Sequence, residues 1–252
     1  PGNSVDFIAL GSSDDYHTVF ADLIVLDKAI DNNEAIALYK RGISDGRKNF
    51  ITIPRITTPD KSKMLLLKGW NDTILHMANN DPTEVRIYYD DRQLHILFTY
   101  PIPEEFRQNR VMYVGQPIEM NVRENDAPEI YKDDHFGVVL SPDEGKTLYT
   151  FVSNAHMARY DARNGDASWS SNGWSAVSSI SGEEYWNMEF HIPLSDIGIE
   201  KMEAGKSIMF NLYHRSVRVK DMDSIWAVTG REVVPLAVMK LGQDETIHIE
   251  GI

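Results

Sequence analysis

From residue 51 onward, apolar and polar side chains alternate along much of the chain, the period of a strand with one buried face. In "EVRIYYDDRQLHILFTY", Val85, Ile87 and Tyr89 share a face, Asp90-Asp91-Arg92 turns, and Leu94, Ile96, Phe98 and Tyr100 return. "HFGVVLSPDEGKTLYTFVSN" repeats the design, with Phe136, Val138 and Leu140 leading into a Ser-Pro-Asp-Glu-Gly turn before Leu148–Val152. A third hairpin, "WSAVSSISGEEYWNMEFHI", turns at Ser181-Gly182. Its second strand sets Trp186, Met188, Phe190 and Ile192 against Asn187, Glu189 and His191. "SIMFNLYHR", "SIWAV", "LAVMKL" and "TIHIEGI" read as further strands. Hairpins with one apolar face predict an all-β fold, an antiparallel β-sandwich.

Residues 1–50 are less regular. "FADLIVLDKAI" reads as a strand and "NNEAIALYKRG" as a short helix with Asn as cap and Gly42 as stop. This segment either completes the sandwich, which spans residues 51–252, or is the remnant of a preceding module. The loops Arg110–Ile130 and Asn154–Gly173 are long and polar, a length that usually carries function.

Composition narrows the partners. The net charge of −13 repels phosphate backbones, which makes nucleic acid and anionic membrane poor partners. No apolar run approaches the roughly 20 residues of a membrane-spanning helix. Cysteine is absent, so disulfides, thiolate catalysis and cysteine-based zinc sites are excluded. The opening Pro1-Gly2-Asn3 in place of Met suggests a processed or trimmed product, from which any targeting segment has been removed.

The order of features resembles one family. "ITIPRI", a Trp at position 70, "VRIYYDDRQLHILF", the acidic "YKDDHFGVVLSP", "WNMEFHIPLSDIG", "GKSIMFNLYHR", "SIWAV" and "VPLAVMKL" follow one another as in family 9 carbohydrate-binding modules and the wider DOMON-like sandwiches. The resemblance covers Ile51 to Leu241. It implies a non-catalytic module of a secreted, periplasmic or cell-surface protein, fused to or associated with a glycan-degrading enzyme. Its ligand would be an oligo- or polysaccharide. No cofactor is required, and a structural calcium ion is an option. Tyr131 stands where the family places one sugar-stacking Trp; near Gly230, the place of the second, no Trp occurs.

Sugar C–H groups pack on exposed ring faces while polar neighbours bond the hydroxyls. On that chemistry the candidate ligand-binding residues are Tyr131, Asp133, Asp134, His135, Asn154, His156, Arg159, Tyr160, Trp169 and Trp174, all on loops or strand ends. Trp174 also suits the core, as do Trp70, Trp186 and Trp226. Asp133, Asp134, Asp221 and Asp223 offer oxygen ligands for calcium without the spacing of a calcium loop. Two alternatives stand beside binding. A polysaccharide lyase or hydrolase would use His156, Arg159, Tyr160 and Asp161 as acid, base and charge neutraliser. A haem-binding electron-transfer domain would draw its axial ligands from 10 Met and 8 His.

Overall fold

The computed structural model describes residues 50–68, 82–104, 118–182, 184–200, 204–217, 223–225, 237–242 and 249–250. The segment before residue 50, Trp70, Asp221, Trp226 and Gly230 lie outside them. The thirteen strands are β1 (Phe50–Ile53), β2 (Leu65–Lys68), β3 (Glu84–Tyr89), β4 (Gln93–Pro101), β5 (His135–Ser141), β6 (Tyr149–Asn154), β7 (Arg159–Arg163), β8 (Ser175–Ser181), β9 (Tyr185–Pro193), β10 (Ser207–Arg215), β11 (Asp223–Ile225), β12 (Ala237–Leu241) and β13 (Ile249–Glu250). They form two sheets. An eight-stranded sheet runs β13-β1-β12-β10-β5-β6-β7, with β11 added to β10, and a five-stranded sheet runs β2-β3-β4-β9-β8.

The three hairpins form where the alternation places them, as β3–β4, β5–β6 and β8–β9. Gly182 closes the last of them at φ +58°, a left-handed conformation that a side chain would strain. Among the described strands, pairing is antiparallel except for β1 and β12, which pair in parallel, and a single parallel bridge joins Arg55 to Tyr89. Two strands were not expected. Leu65–Lys68 lacks alternation, and Arg159–Arg163 reads as polar loop yet pairs residue for residue with β6.

The inward rows of both sheets fuse into one core. Phe136 of the larger sheet stacks on Phe98 of the smaller one at 4.5 Å and leans on Trp186 at the same distance. Phe190 meets Phe98 edge-on at 5.6 Å. Each such ring buries a large apolar area, and these contacts fix the sheets against each other. Trp186 is buried, as its place in the alternation predicts, and donates its indole N–H to Ser178 Oγ at 3.0 Å. A further tie is polar: the Tyr89 hydroxyl donates to the carbonyl of Gly242, joining β3 to the end of β12.

The larger sheet has a second apolar layer on its outer face. Val139, Val152 and Tyr213 pack there beneath Val122, Ile130 and Tyr131, which arrive from the chain segment before β5. Tyr213 lies across Gly137, its register partner, and a Cβ at Gly137 would collide with the phenol ring. Gly137→Ala is therefore expected to destabilise the fold by about 1–3 kcal/mol, the range for overpacking a filled site. Urea unfolding of the two proteins checks this, and equal midpoints would refute it.

Candidate functional site

The candidate residues expected from the loops do not converge on one cleft. Those before and on β5 and β6 lie on the outer face of the larger sheet. Trp169, Trp174 and Asp161 are on its inner side, closing the end of the sandwich beside β7.

Asp133, Asp134, His135, Asn154 and Trp174 are buried, which corrects the expectation that they contact a ligand. The Asp133 Oδ2 accepts the amide N–H of Asn121 at 2.9 Å, that of Val122 at 2.8 Å and the Asn154 side-chain amide at 2.8 Å. Asn154 Oδ1 in turn accepts the N–H of His156 and of Ala158. Asp134 accepts the N–H groups of Glu119 and Val217. These carboxylates pin the covering segment to the sheet, because a buried charge is tolerated only where hydrogen bonds compensate it. Of the carboxylates offered for calcium, both oxygens of Asp134 and one of Asp133 are thus occupied by amides, and the side chains of Asp221 and Asp223 lie outside the described residues. Asp133 Oδ1 is the exception, buried and accepting no hydrogen bond among the described residues.

His135 points its Nδ1 at the carbonyl of Asp133 at 2.8 Å. Burial pushes its pKa down to about 4. Tyr131 is half-buried, edge-on to both His135 and Tyr160 at 5.4 Å. Burial pushes its phenol up to about 12. Packed this way, the rings meet one another instead of lying flat towards solvent.

Trp174 sits against Phe151 and Phe190 in the core. Arg159 donates to the Trp174 carbonyl and places its guanidinium 5.6 Å from the indole centroid. Trp169, half-buried, packs on Tyr149 and Phe151 at 5.3 and 6.2 Å. Asp161 is buried and accepts the Ser171 N–H, with its carboxyl pushed up by burial. The alternative acid–base set therefore has two members engaged in holding the loop that carries these indoles. His156 and Tyr160 remain half-buried.

The smaller sheet presents a different surface. Its register lines outward side chains in ranks across the strands. Tyr88, His95, His191 and Ser175 form one rank, Arg86, Leu97, Glu189 and Val177 the next, and Glu84, Thr99, Asn187 and Ser179 a third. The second and third ranks except Glu84, with Ser181 and Lys61, line a groove of about 290 Å³. Arg86 pairs with Glu84 at 3.3 Å. Thr99 donates to Asn187 Oδ1 at 3.1 Å, and the Asn187 amide reaches Ser181 Oγ at 3.4 Å. Val177 is 51% exposed, an aliphatic spot beside these polar groups. In the sequence this groove was visible only as the polar half of the alternation, the half that ordinarily faces water.

No family model and no curated protein matches the chain. Solved structures do. A Bacteroides uniformis protein whose name proposes carbohydrate binding aligns over 77% of this chain and 100% of its own at 13% identity, with a TM-score of 0.53. A family 9 carbohydrate-binding module of Caldicellulosiruptor kristjanssonii in complex with cellotriose aligns over 78% and 94% at 11% identity, TM-score 0.50. The glucose complex of a family 9 module from that organism aligns over 79% and 98% at 11% identity, TM-score 0.53. The chain has the β-sandwich fold of family 9 carbohydrate-binding modules. Among the described residues no helix is long and apolar enough to cross a membrane.

The lowered pKa of His135 predicts a pH dependence of stability. Its imidazole stays neutral in the fold down to about pH 4, whereas in the unfolded chain it takes up a proton near 6.5. Its contribution is complete above pH 6.5 and falls as pH drops from there towards 4, by roughly 3 kcal/mol in all. His135→Asn should flatten this part of the curve of unfolding free energy between pH 7 and 4.5. An unchanged slope in the variant would rule His135 out as its source.

Proposed function

We propose that the protein is a non-catalytic saccharide-binding module whose ligand lies in the groove on the outer face of the five-stranded sheet. The observation that carries this reading is the arrangement of Arg86, Thr99, Asn187, Glu189, Ser179 and Ser181 around one groove with Leu97 and Val177 between them. A guanidinium, a carboxylate and a carboxamide offer planar paired donors and acceptors, which match vicinal hydroxyls; the aliphatic patches suit sugar C–H faces. Several of these groups already hold one another, so little ordering is needed when a ligand arrives. The fold's likeness to modules solved with glucose and cellotriose supports the same class of ligand.

The acidic surface favours a neutral ligand over a polyanion. Tyr131, His156 and Tyr160 lie on the outer face of the other sheet, and Arg159 and Trp169 at the end of the sandwich beside β7, so none of them lines this groove. The reading requires no ion or cofactor. It places the protein outside the cytoplasm, beside or fused to an enzyme that degrades the same glycan.

Isothermal titration with glucose, cellotriose and a panel of longer plant and host glycans tests the proposal. Binding should be detected for at least one of them, and Arg86→Ala or Asn187→Ala should weaken it about tenfold, the equivalent of one or two lost hydrogen bonds. Tyr160→Phe should leave it unchanged. A folded protein that binds nothing on the panel would refute the function. Binding lost in Tyr160→Phe and retained in the groove variants would refute the location.

A further inference from the structure

We propose that the first rank of the same sheet is a metal site for a zinc-class ion, with His95, His191 and Glu189 as ligands and Asp90 as the residue that positions His95. His95 and His191 are direct cross-strand partners on β4 and β9, and Glu189 stands two residues before His191 on the same face. One ligand atom from each of the three lies within 4.8 Å of the others. Two imidazoles and a carboxylate form the mixed nitrogen and oxygen set that zinc-class ions prefer and calcium does not.

The hydrogen bonds around the rank give a second, independent reason. Asp90 Oδ2 lies 3.0 Å from His95 Nε2. Its Oδ1 accepts the amides of Arg92 and Gln93, which holds the carboxylate in the β3–β4 turn. This keeps the His95 proton on Nε2 and leaves Nδ1 as a lone pair, the carboxylate–histidine arrangement found behind metal ligands. That lone pair faces His191 Nδ1 at 2.8 Å. When His191 answers with its own Nδ1–H, its Nε2 lone pair is left against the Glu189 carboxylate at 3.5 Å. With one proton on His191, two acceptors face each other on one side of its ring or the other. A second proton relieves this, and so does a cation bound to one nitrogen of each imidazole and an oxygen of Glu189.

Side-chain shifts would bring the three ligands onto one ion. Ligands at zinc–nitrogen distances of about 2.0–2.1 Å in a tetrahedron stand roughly 3.3 Å apart, so the two Nδ1 atoms, now 2.8 Å apart, part by about half an ångström and the Glu189 oxygen, within 4.8 Å of them, closes in. His191 is half-exposed, whereas His95 is buried and stacked on Tyr88 at 4.3 Å. Rigid ligand and movable ligand thus lie side by side. Three protein ligands leave the fourth position open on the outer face, at the end of the groove that Glu189 also lines.

The test is titration of chelator-treated, desalted full chain with zinc, and separately with cobalt, in the absence of any sugar. One zinc per chain is expected, with the visible absorption of four-coordinate cobalt and a rise in melting temperature. His191→Ala and Glu189→Gln should each weaken binding by more than tenfold, and Glu129→Gln, an exposed carboxylate elsewhere, should not. Asp90→Asn keeps an oxygen for the turn amides but turns a donor towards His95, moving the ring proton onto Nδ1. It should cost about tenfold in affinity with the melting temperature of the metal-free protein retained. Failure of the wild type to take up zinc, or wild-type affinity in His191→Ala, overturns the site. Because sugar is absent throughout, neither result bears on saccharide binding.

Discussion

The pairing of β4 with β9, unbroken from Gln93 opposite Pro193 to Pro101 opposite Tyr185, is the constraint on which the other features rest. Leu94, Ile96, Phe98 and Tyr100 on one strand, and Trp186, Met188, Phe190 and Ile192 on the other, enter the core together. Slipping either strand by one residue would turn all of its apolar side chains outward and bring His, Glu and Asn against Phe136, a loss no alternative pairing could offset. The outward ranks are therefore fixed by the inward ones. Arg86, Glu189 and Asn187 share a surface because Phe98, Phe190 and Trp186 share an interior.

The two sheets treat their outer faces differently. The larger sheet is roofed by the segment before β5, held by Asp133 and Asp134 through the amides of Asn121, Val122 and Glu119 and closed by Tyr131 and Ile130. Among the described residues, the smaller sheet is roofed beside Tyr88 and Leu97, where Ile56 and Met64 pack down from the β1–β2 connection. No other described segment covers its outer face, which Lys61 borders. Acidic residues that looked like surface chemistry serve as fasteners for a lid of chain over the larger sheet, and the groove proposed as the binding surface lies on the other sheet.

Alternation made most strands legible, because a half-buried strand leaves its period in the sequence whatever its neighbours are. Arg159–Arg163 was not legible. Its neighbour β6 and the bonds of Asp161 to Ser171 hold it as a strand, and its own residues carry no apolar row. Burial of Asp133, Asp134 and Asn154 was hidden for a related reason: polar side chains enter the interior only where distant amides meet them, and those partners are not written locally. The groove was hidden in the opposite way. Asn187, Glu189 and His191 were legible as the polar face of β9, but only the register with β4, β3 and β8 shows which groups stand beside them.

Phe50 and Glu250 face each other as register partners in the β1–β13 pair. The first and last described strands therefore lie one strand spacing apart, about 5 Å. A contact between residues so distant along the chain closes a long loop, so this pair is expected to form late in folding.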